Sequence, residues 1–234
     1  MAVARTVSRS VLADQVRDRL LEGILDGHYP PDTRIIETQV ARELGTSQAP
    51  VREALRALEG LGIVEITPFR GARVRRPSKH EIIEAYAVRS TLETLGARLA
   101  VPRMSDADVA ELAGHLRAMH AAAADHDGHG VAEADARFHG RIVELADNGA
   151  LVKVWRSLEP FPRTYLTLVV PGADPEWSAA LHDPILAAIQ RRDPEAVVAA
   201  LQRHFDEVSD NMERRWPDDE QVVVADRPRS RRKA

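Results

Sequence analysis

The chain has 234 residues, 44% of them hydrophobic and 4% aromatic, which is enough for two modest globular domains. It contains no cysteine, which excludes disulfides, thiolate metal ligands and a cysteine nucleophile, so any metal must be bound by histidines and carboxylates. The sequence shows neither an apolar run long enough to span a bilayer nor the apolar core of a signal peptide, so we expect a cytoplasmic protein with no membrane partner.

The formal net charge of −4 is unevenly distributed along the chain. Residues 1–78 carry twelve arginines and ten acidic side chains, a balance of +2, and the remainder carries −6. So small a positive excess predicts few phosphate contacts per chain. If the N-terminal part binds DNA, we expect affinity to come from a dimer rather than from a broad basic surface.

Two helices and a tight turn are predicted at the beginning of the chain. Residues 8–27 form a helix with one apolar stripe, which ends at Gly27 and the two prolines that follow. Residues 36–44 form a short amphipathic helix, and Gly45 allows the chain to turn sharply after it. This spacing is typical of a helix-turn-helix.

A third helix and a hairpin follow. Ser47 is a suitable N-cap, because its hydroxyl can accept a hydrogen bond from a backbone N–H of the next turn, so we expect the helix to begin near Gln48. Residues 63–66 and 72–74 predict two short antiparallel strands, with a break over 68–71 between them. One face of the helix is expected to be buried and carries Val51, Leu55 and Leu58. The exposed face, whose side chains can reach phosphates or base edges, carries Gln48, Arg52 and Arg56.

Over about residues 8–76, the chain resembles the GntR family of winged helix-turn-helix regulators. The motifs that carry the resemblance are GHYPPDTRI, the run VAREL-G-TSQAPVREAL, and LEGLGIV followed by the RGARV wing. The resemblance implies a domain over 1–76 that binds a palindromic double-stranded DNA operator as a homodimer. It also implies the DNA-contacting residues, which are Ser47, Gln48, Arg52, Arg70 and Gly71.

The chain departs from the family at Gln48, where members commonly carry arginine. Glutamine favours adenine through a bidentate contact, whereas arginine favours guanine. We therefore expect the operator of this protein to differ at that base pair.

From Ser78 onward nearly every segment predicts a helix, so the fold class is mainly α, with an all-α antiparallel bundle over 78–216. Residues 217–234 alternate acidic and basic clusters and predict a disordered tail. Capping pairs and prolines place the helices of the bundle at 78–101, 105–125, 131–147, 150–169, 175–192 and 194–215.

The chain has nine histidines, and we expect six of them to be exposed to solvent. These lie in turns, near helix caps or in the polar loop over 125–130, namely His28, His80, His115, His120, His126 and His129. Only three histidines therefore remain as candidates for a functional site.

Those three histidines and one aspartate predict a metal site. Asp135 and His139 are four residues apart on one helix, so their side chains lie on one face. His182 and His204 are each eleven residues from Asp193 at the turn between their helices, so an antiparallel hairpin places both imidazoles at one height, about 16 Å from the turn. Such a donor set suits zinc first, and also nickel, manganese or iron(II). Pro184 either starts a new helix or kinks the existing one.

Over about residues 80–215, the chain is similar to the ligand-binding FCD domain of the FadR-type GntR regulators. The resemblance is carried by AYAVRSTLETLGARLA, DARFHGRIVELADNGAL and HDPILAAIQRRDPEAVVAALQRH. It implies a divalent metal ion that helps to bind a small organic acid effector. Repression that the effector relieves is the usual outcome in the family.

Two further residues are candidates for binding the acid. Arg89 can bind a carboxylate bidentately, although a helix-surface ion pair with Glu93 is an equally good interpretation. Asn211 lies seven residues after His204 and shares its face of the helix. Two alternatives for the site remain open at this stage: a metal-dependent enzyme acting on a small carboxylate, and a purely structural ion that joins three helices.

Overall fold

The computed structural model describes residues 9–25, 27–67, 71–158 and 174–216. The described part is mostly helical with one small antiparallel sheet, which confirms the predicted fold class. The predicted disordered tail over 217–234 lies outside the described residues, as does Arg70. The N-terminal elements are α1 (Arg9–Leu25), β1 (Arg34–Ile35), α2 (Glu37–Glu43), α3 (Gln48–Gly60), β2 (Val64–Thr67) and β3 (Gly71–Val74).

The sheet has three strands in the order β1-β3-β2, with both pairs antiparallel. The predicted hairpin is present, with Val64 opposite Val74 and Thr67 opposite Gly71. Strand β1 was not predicted, because two residues are too few to show an alternating pattern. Alternate residues of the strands are buried against α1 and α3, so the sheet closes the core of this part of the chain.

The turn between α2 and α3 depends on Gly45, whose φ of +62° is readily adopted by glycine. Ser47 occupies the N-cap position of α3, as predicted, but its hydroxyl accepts no capping hydrogen bond. The expected partner at the third helical position is Pro50, which has no N–H to donate. The predicted position of the cap is therefore correct and the predicted hydrogen bond is wrong.

The second part of the chain is a bundle of α-helices. Predicted and observed helix ends agree within three residues, except in two places. The predicted helix over 175–192 is two helices that meet at His182, and the predicted helix over 150–169 is described only as far as Leu158. The elements are α4 (Lys79–Ala100), a 3-10 turn (Val101–Arg103), α5 (Asp106–Ala124), α6 (Gly128–Glu144), α7 (Gly149–Leu158), α8 (Pro175–Ala180), α9 (Asp183–Gln190) and α10 (Pro194–Arg215).

Helix α4 is central to this bundle because it packs against α6, α7 and α10. It begins at a capping box in which Ser78 and Glu81 satisfy each other's backbone N–H groups. Its inner face packs into an apolar core contributed by six of the seven helices. Within the described residues, no helix combines the length and the apolar character needed to cross a bilayer.

Candidate functional site

The four predicted metal ligands converge in the centre of the bundle. Asp135 and His139 come from successive turns of α6, His182 from the N-cap of α9, and His204 from the middle of α10. All four side chains are buried, and each offers a ligand atom within 4.8 Å of those of the others. The site is therefore an internal cluster to which three helices contribute.

The hairpin argument correctly predicted that His182 and His204 lie at one height. Their ring centroids are 4.6 Å apart. The question left open by Pro184 is also settled, because the helix breaks at His182 and α9 begins at the next residue with Pro184 in its first turn. The break leaves the His182 ring directed at α6, where His182 Nε2 lies 3.0 Å from Asp135 Oδ1.

The protonation of two imidazoles follows from their outer partners. His182 Nδ1 lies 3.0 Å from the carbonyl oxygen of Ser178, and a carbonyl only accepts, so Nδ1 carries the hydrogen. His139 Nδ1 donates in the same way to the carboxylate of Glu93. In the neutral rings, both Nε2 atoms therefore present a lone pair to the interior of the cluster.

These lone pairs point at one another. The Nε2 atoms of His139 and His182 are only 3.0 Å apart, and Asp135 Oδ1 lies 3.6 Å from the former. His204 Nδ1 is buried without a hydrogen-bond partner among the described residues. Convergent lone pairs and an unpartnered buried nitrogen are the arrangement that a cation stabilises, so the residues present fit a metal ion.

The electrostatics of the cluster favour an ionised Asp135 and a neutral His204. Burial alone would raise the pKa of Asp135, but His139 and His182 more than offset this effect and hold it well below its usual range. Burial, reinforced by the neighbouring His182 and His139, lowers the pKa of His204 well below its ordinary value. A carboxylate and a neutral imidazole are the forms that bind metals.

A second layer of buried side chains surrounds His139, and it is centred on Glu93. Glu93 is completely buried and accepts hydrogen bonds from Arg89 Nε at 2.9 Å and from the indole nitrogen of Trp155 at 2.7 Å, besides the one from His139. Burial alone would raise the pKa of Glu93, but Arg89 and His139 more than offset this effect and lower it to about 2. Glu93 is thus a buried carboxylate that holds the imidazole of a candidate metal ligand, His139, in one orientation.

The ion pair between Arg89 and Glu93, considered as the alternative to effector binding, forms, but it is buried rather than at the helix surface. Arg89 is 2% exposed, and its guanidinium lies between the rings of Tyr86, Trp155 and Phe205. The sequence did not identify Glu93 as a site residue because its spacing from Arg89 is equally typical of a solvated helix face. The signal available was its position four residues after an arginine already assigned to the site.

The remaining candidates lie farther from the cluster. Asn211 is half-buried on α10, two turns beyond His204. Of the six histidines expected to be exposed, four are exposed, and His115 and His129 are half-buried.

The predicted DNA-contacting residues lie on α3 and on the hairpin. Ser47, Gln48 and Arg52 are exposed, and the opposite face of α3 is buried, as predicted. Arg52 forms an ion pair with Glu37 of α2, with 2.9 Å between Nη2 and Oε2. Gly71 has a φ of +84° at the beginning of β3, which explains the need for glycine beside the tip of the hairpin.

Comparison with known proteins identifies both parts of the chain. The family model described as "Bacterial regulatory proteins, gntR family" matches residues 12–74, and the model described as "FCD domain" matches residues 84–207. The "Probable D-xylose utilization operon transcriptional repressor" of Paenarthrobacter nicotinovorans is 34% identical over 203 residues, covering 87% of this chain and 89% of that protein. The "Nta operon transcriptional regulator" of Aminobacter aminovorans is 30% identical over 183 residues, covering 77% and 87%.

A solved structure shows the same fold. A GntR transcriptional regulator from Rhodococcus sp. RHA1 superposes with a TM-score of 0.79 at 24% identity, covering 88% of this chain and 99% of that one. The relatives at 34% and 30% identity are transcriptional regulators, which argues against the metal-dependent enzyme considered as an alternative. The chain belongs to the GntR family of bacterial regulatory proteins, with a helix-turn-helix region followed by an FCD domain, and it is a DNA-binding transcriptional regulator.

Proposed function

We propose that this protein is a repressor that binds a palindromic operator as a homodimer in the cytoplasm and is released by a small organic acid bound at a divalent metal ion. The ion is held by Asp135, His139, His182 and His204. The observation that carries this proposal is that the Nε2 atoms of His139 and His182 lie 3.0 Å apart, beside a carboxylate oxygen of Asp135, in a buried site. Only a cation relieves that arrangement without protonating the rings.

The ligand chemistry limits the identity of the ion. Three imidazoles and one carboxylate suit zinc first, and nickel, manganese and iron(II) accept the same donors. When bound, the ion supplies a positive centre that a carboxylate oxygen can ligate. The chain's own contribution is to hold the imidazoles with their Nε2 atoms inward, through Glu93 for His139 and through the Ser178 carbonyl for His182.

The charge balance of the site favours an acidic effector. Asp135 and Glu93 carry two negative charges, and Arg89 together with a divalent ion carries three positive charges. The surplus of one positive charge in a buried site matches one carboxylate group. We assign Arg89 and Asn211 as further effector-binding residues, Arg89 because it pairs with Glu93, which contacts His139, and Asn211 because it shares a helix face with His204.

The N-terminal part, proposed as a domain over 1–76, reads the operator. We assign its DNA contacts to Ser47, Gln48 and Arg52 on α3 and to Arg70 and Gly71 on the wing. The proposed effector domain over 78–216 is connected to it through Arg75, which donates to the Gly62 carbonyl and to Glu81 at the start of α4. Movement of α4 is therefore transmitted to the operator-reading part.

The decisive experiment compares ligand variants in a gel shift with the DNA upstream of the protein's own gene. His139→Ala and His182→Ala should bind this DNA nearly as the wild type does, but should not release it when metal and a panel of organic and sugar acids are added. His115→Ala, a half-buried histidine outside the cluster, should respond as the wild type does. Release in both ligand variants would remove the sensing role.

A purely structural ion gives a different result. Chelation would then lower the melting temperature while the affinity for the acid, measured by calorimetry, stayed the same. The proposal expects chelation to abolish binding of the acid.

A further inference from the structure

The outer face of the small sheet carries two arginines directly opposite each other, Arg34 and Arg73, which we call the arginine pair. They are register partners on β1 and β3, so their Cβ atoms lie about 5 Å apart on one face of the sheet. The adjacent partners, Ile35 and Ala72, are buried, so the arginine pair lies on the exposed face. Like charges directly opposite each other destabilise a sheet unless another group offsets them.

Among the residues that the structure describes, no carboxylate contacts the arginine pair. Arg34 is exposed and has no hydrogen-bond or ion-pair partner there. Arg73 donates from Nη1 to the backbone carbonyl of Asp32, 3.0 Å away, and forms no ion pair with Glu65, which lies opposite it on β2. The carboxylate of Asp32 lies 3.6 Å from Nε of Arg76 instead. The arginine pair therefore keeps both positive charges available to an anion.

The arginine pair lies between the two elements that we assign to DNA contact. On one side, the Arg34 guanidinium lies beside Gly71 of the wing, because a Cβ added to Gly71 would be 3.6 Å from Arg34 Nε. On the other side, Glu37 follows Arg34 by three residues and pairs with Arg52 of α3. Three residues of chain span at most about 10 Å, which is the rise of about three nucleotides along one strand of DNA. A duplex that contacts both elements therefore brings its backbone over the arginine pair.

The chemistry and the shape of this surface fit a phosphate rather than a base edge. A guanidinium binds phosphate oxygens through two parallel hydrogen bonds, and two guanidiniums side by side can bind the two free oxygens of one phosphodiester. The major groove admits a helix or a two-stranded ribbon. The arginine pair is on a sheet of three strands, with a strand on each side of Arg73, so this face is too broad to enter the groove.

We propose that Arg34 and Arg73 together bind one backbone phosphate of each operator half-site. The inference rests on the proposed function, which assigns DNA contacts to α3 and the wing, and it adds two residues with a sequence-independent role. A phosphate between the two guanidiniums offsets the repulsion that the sheet builds into the free protein. Such a contact fixes the register of the protein on the duplex, so that α3 and the wing meet their own parts of the half-site.

The salt dependence of DNA binding tests this assignment. The affinity for a fluorescent duplex of scrambled sequence is measured by anisotropy between about 50 and 200 mM salt. Arg34→Gln and Arg73→Gln should each reduce the slope of log affinity against log salt by about 1 per bound chain, because one phosphate contact is lost. Arg19→Gln, exposed on α1, should leave the slope unchanged. An unchanged slope in Arg34→Gln would overturn the proposal.

Two further variants test the shared phosphate and its chemistry. The double variant Arg34→Gln with Arg73→Gln should reduce the slope little more than either single variant, because both residues act on one phosphate. Arg34→Lys keeps the charge and should keep the slope of the wild type. A double variant whose reduction equals the sum of the two single reductions would overturn the shared phosphate.

The preference for operator over scrambled DNA separates a phosphate contact from base reading. In Arg34→Gln, the ratio of the two dissociation constants should stay within about twofold of the wild type, because a phosphate contact weakens binding evenly across sequences. A ratio that falls tenfold or more would assign Arg34 to a base and overturn the proposal.

Thermal stability separates a DNA contact from a structural role. Without DNA, Arg34→Gln should melt at the wild-type temperature or above it, because the substitution removes a like-charge pair from the sheet. A melting temperature lower by more than about 3 °C, together with an unchanged slope, would show that Arg34 supports the wing instead.

The wild type distinguishes failure of this inference from failure of the proposed function. A wild type that binds its operator while the arginine variants keep its slope would overturn the arginine pair and leave the repressor model standing. A wild type that binds no duplex at all would overturn the proposed function and the arginine pair with it.

Discussion

His139 donates a hydrogen bond from Nδ1 to Glu93, and Nε2 of the same ring lies 3.0 Å from His182 Nε2. One ring nitrogen of the imidazole is therefore fixed by a buried carboxylate, and the other is directed at the centre of the cluster. Glu93 also accepts from Arg89 and Trp155, so a single carboxylate contacts a candidate metal ligand, a guanidinium and an indole.

Substitution of Glu93 by Gln should weaken metal binding about 10- to 100-fold, because the amide removes the charge that favours the Nδ1–H form of His139. It should also lower the melting temperature, because Arg89 is left as a buried cation without its partner. Zinc affinity is measured by competition with a chromophoric chelator, and stability by a thermal scan of the metal-free protein.

The matched control is Glu133→Gln, which breaks the ion pair with Arg137 at the same spacing on the surface of α6. This control should leave both zinc affinity and melting temperature nearly unchanged. Unaltered zinc affinity in the Glu93 variant would show that Glu93 does not orient the ligand.

Most of the fold was predictable because its signals are local. Capping residues fixed the ends of α5 and α10, where Ser105 and Asp193 accept the hydrogen bonds that their positions predict. The convergence of the four candidate metal ligands was predictable from spacing, since helix periodicity placed Asp135 beside His139 and the hairpin placed His182 level with His204.

The rest required tertiary information. Strand β1 is defined only by its pairing with β3, 36 or more residues later, which a two-residue pattern cannot reveal. The burial of Arg89 and Glu93 depends on Trp155 from α7, more than fifty residues later, so their spacing alone could not separate an internal pair from a surface pair. The missing capping hydrogen bond at Ser47 was predictable in part, since Pro50 lacks one of the two N–H groups that an N-cap side chain can bind.

Stability at the start of α4 should depend on pH through Glu81. Burial alone would raise the pKa of Glu81, but hydrogen bonds from Ser78 and Arg75 more than offset this effect and lower it below the ordinary 4.5. A depressed carboxyl pKa stabilises the folded state above pH 4.5, and this contribution is lost as the pH falls below that value.

The test is Glu81→Gln, which can still form the capping box but carries no charge. Its melting temperature should lie about 1 to 3 °C below that of the wild type at pH 7. The difference should shrink as the pH falls from 4.5 towards 3.5. A difference that stays constant over this range would contradict the assigned role of the ionised carboxylate.

Glu37 should set the direction of Arg52 on the face of α3 that we propose contacts DNA. Its carboxylate accepts from both Nε and Nη2 of Arg52, and it raises the pKa of Arg52 through these hydrogen bonds. Glu37→Gln removes one negative charge near the phosphates and loosens Arg52, so affinity for all DNA should rise while discrimination falls.

The measurement is the ratio of dissociation constants for operator and scrambled duplexes at one salt concentration. Glu37→Gln should tighten binding to the scrambled duplex about threefold or more and reduce the ratio. Arg52→Ala provides the reference and should lose about 1 to 3 kcal/mol of specific binding if Arg52 reads a base. An unchanged ratio in the Glu37 variant would mean that the ion pair has no part in recognition.

Gln48→Arg should change which base pair the operator prefers at one position. Gln48 is exposed in the first turn of α3, and its amide can donate to N7 and accept from the amino group of adenine, whereas arginine donates twice to guanine. Against operators varied at each base pair in turn, the wild type should prefer A·T and the variant G·C at that one position in each half-site, by about tenfold. Arg19→Ala, exposed on α1, should leave every preference unchanged. If the variant keeps the preferences of the wild type at every position, Gln48 does not read a base, and any contact that it makes with DNA is with the phosphate backbone.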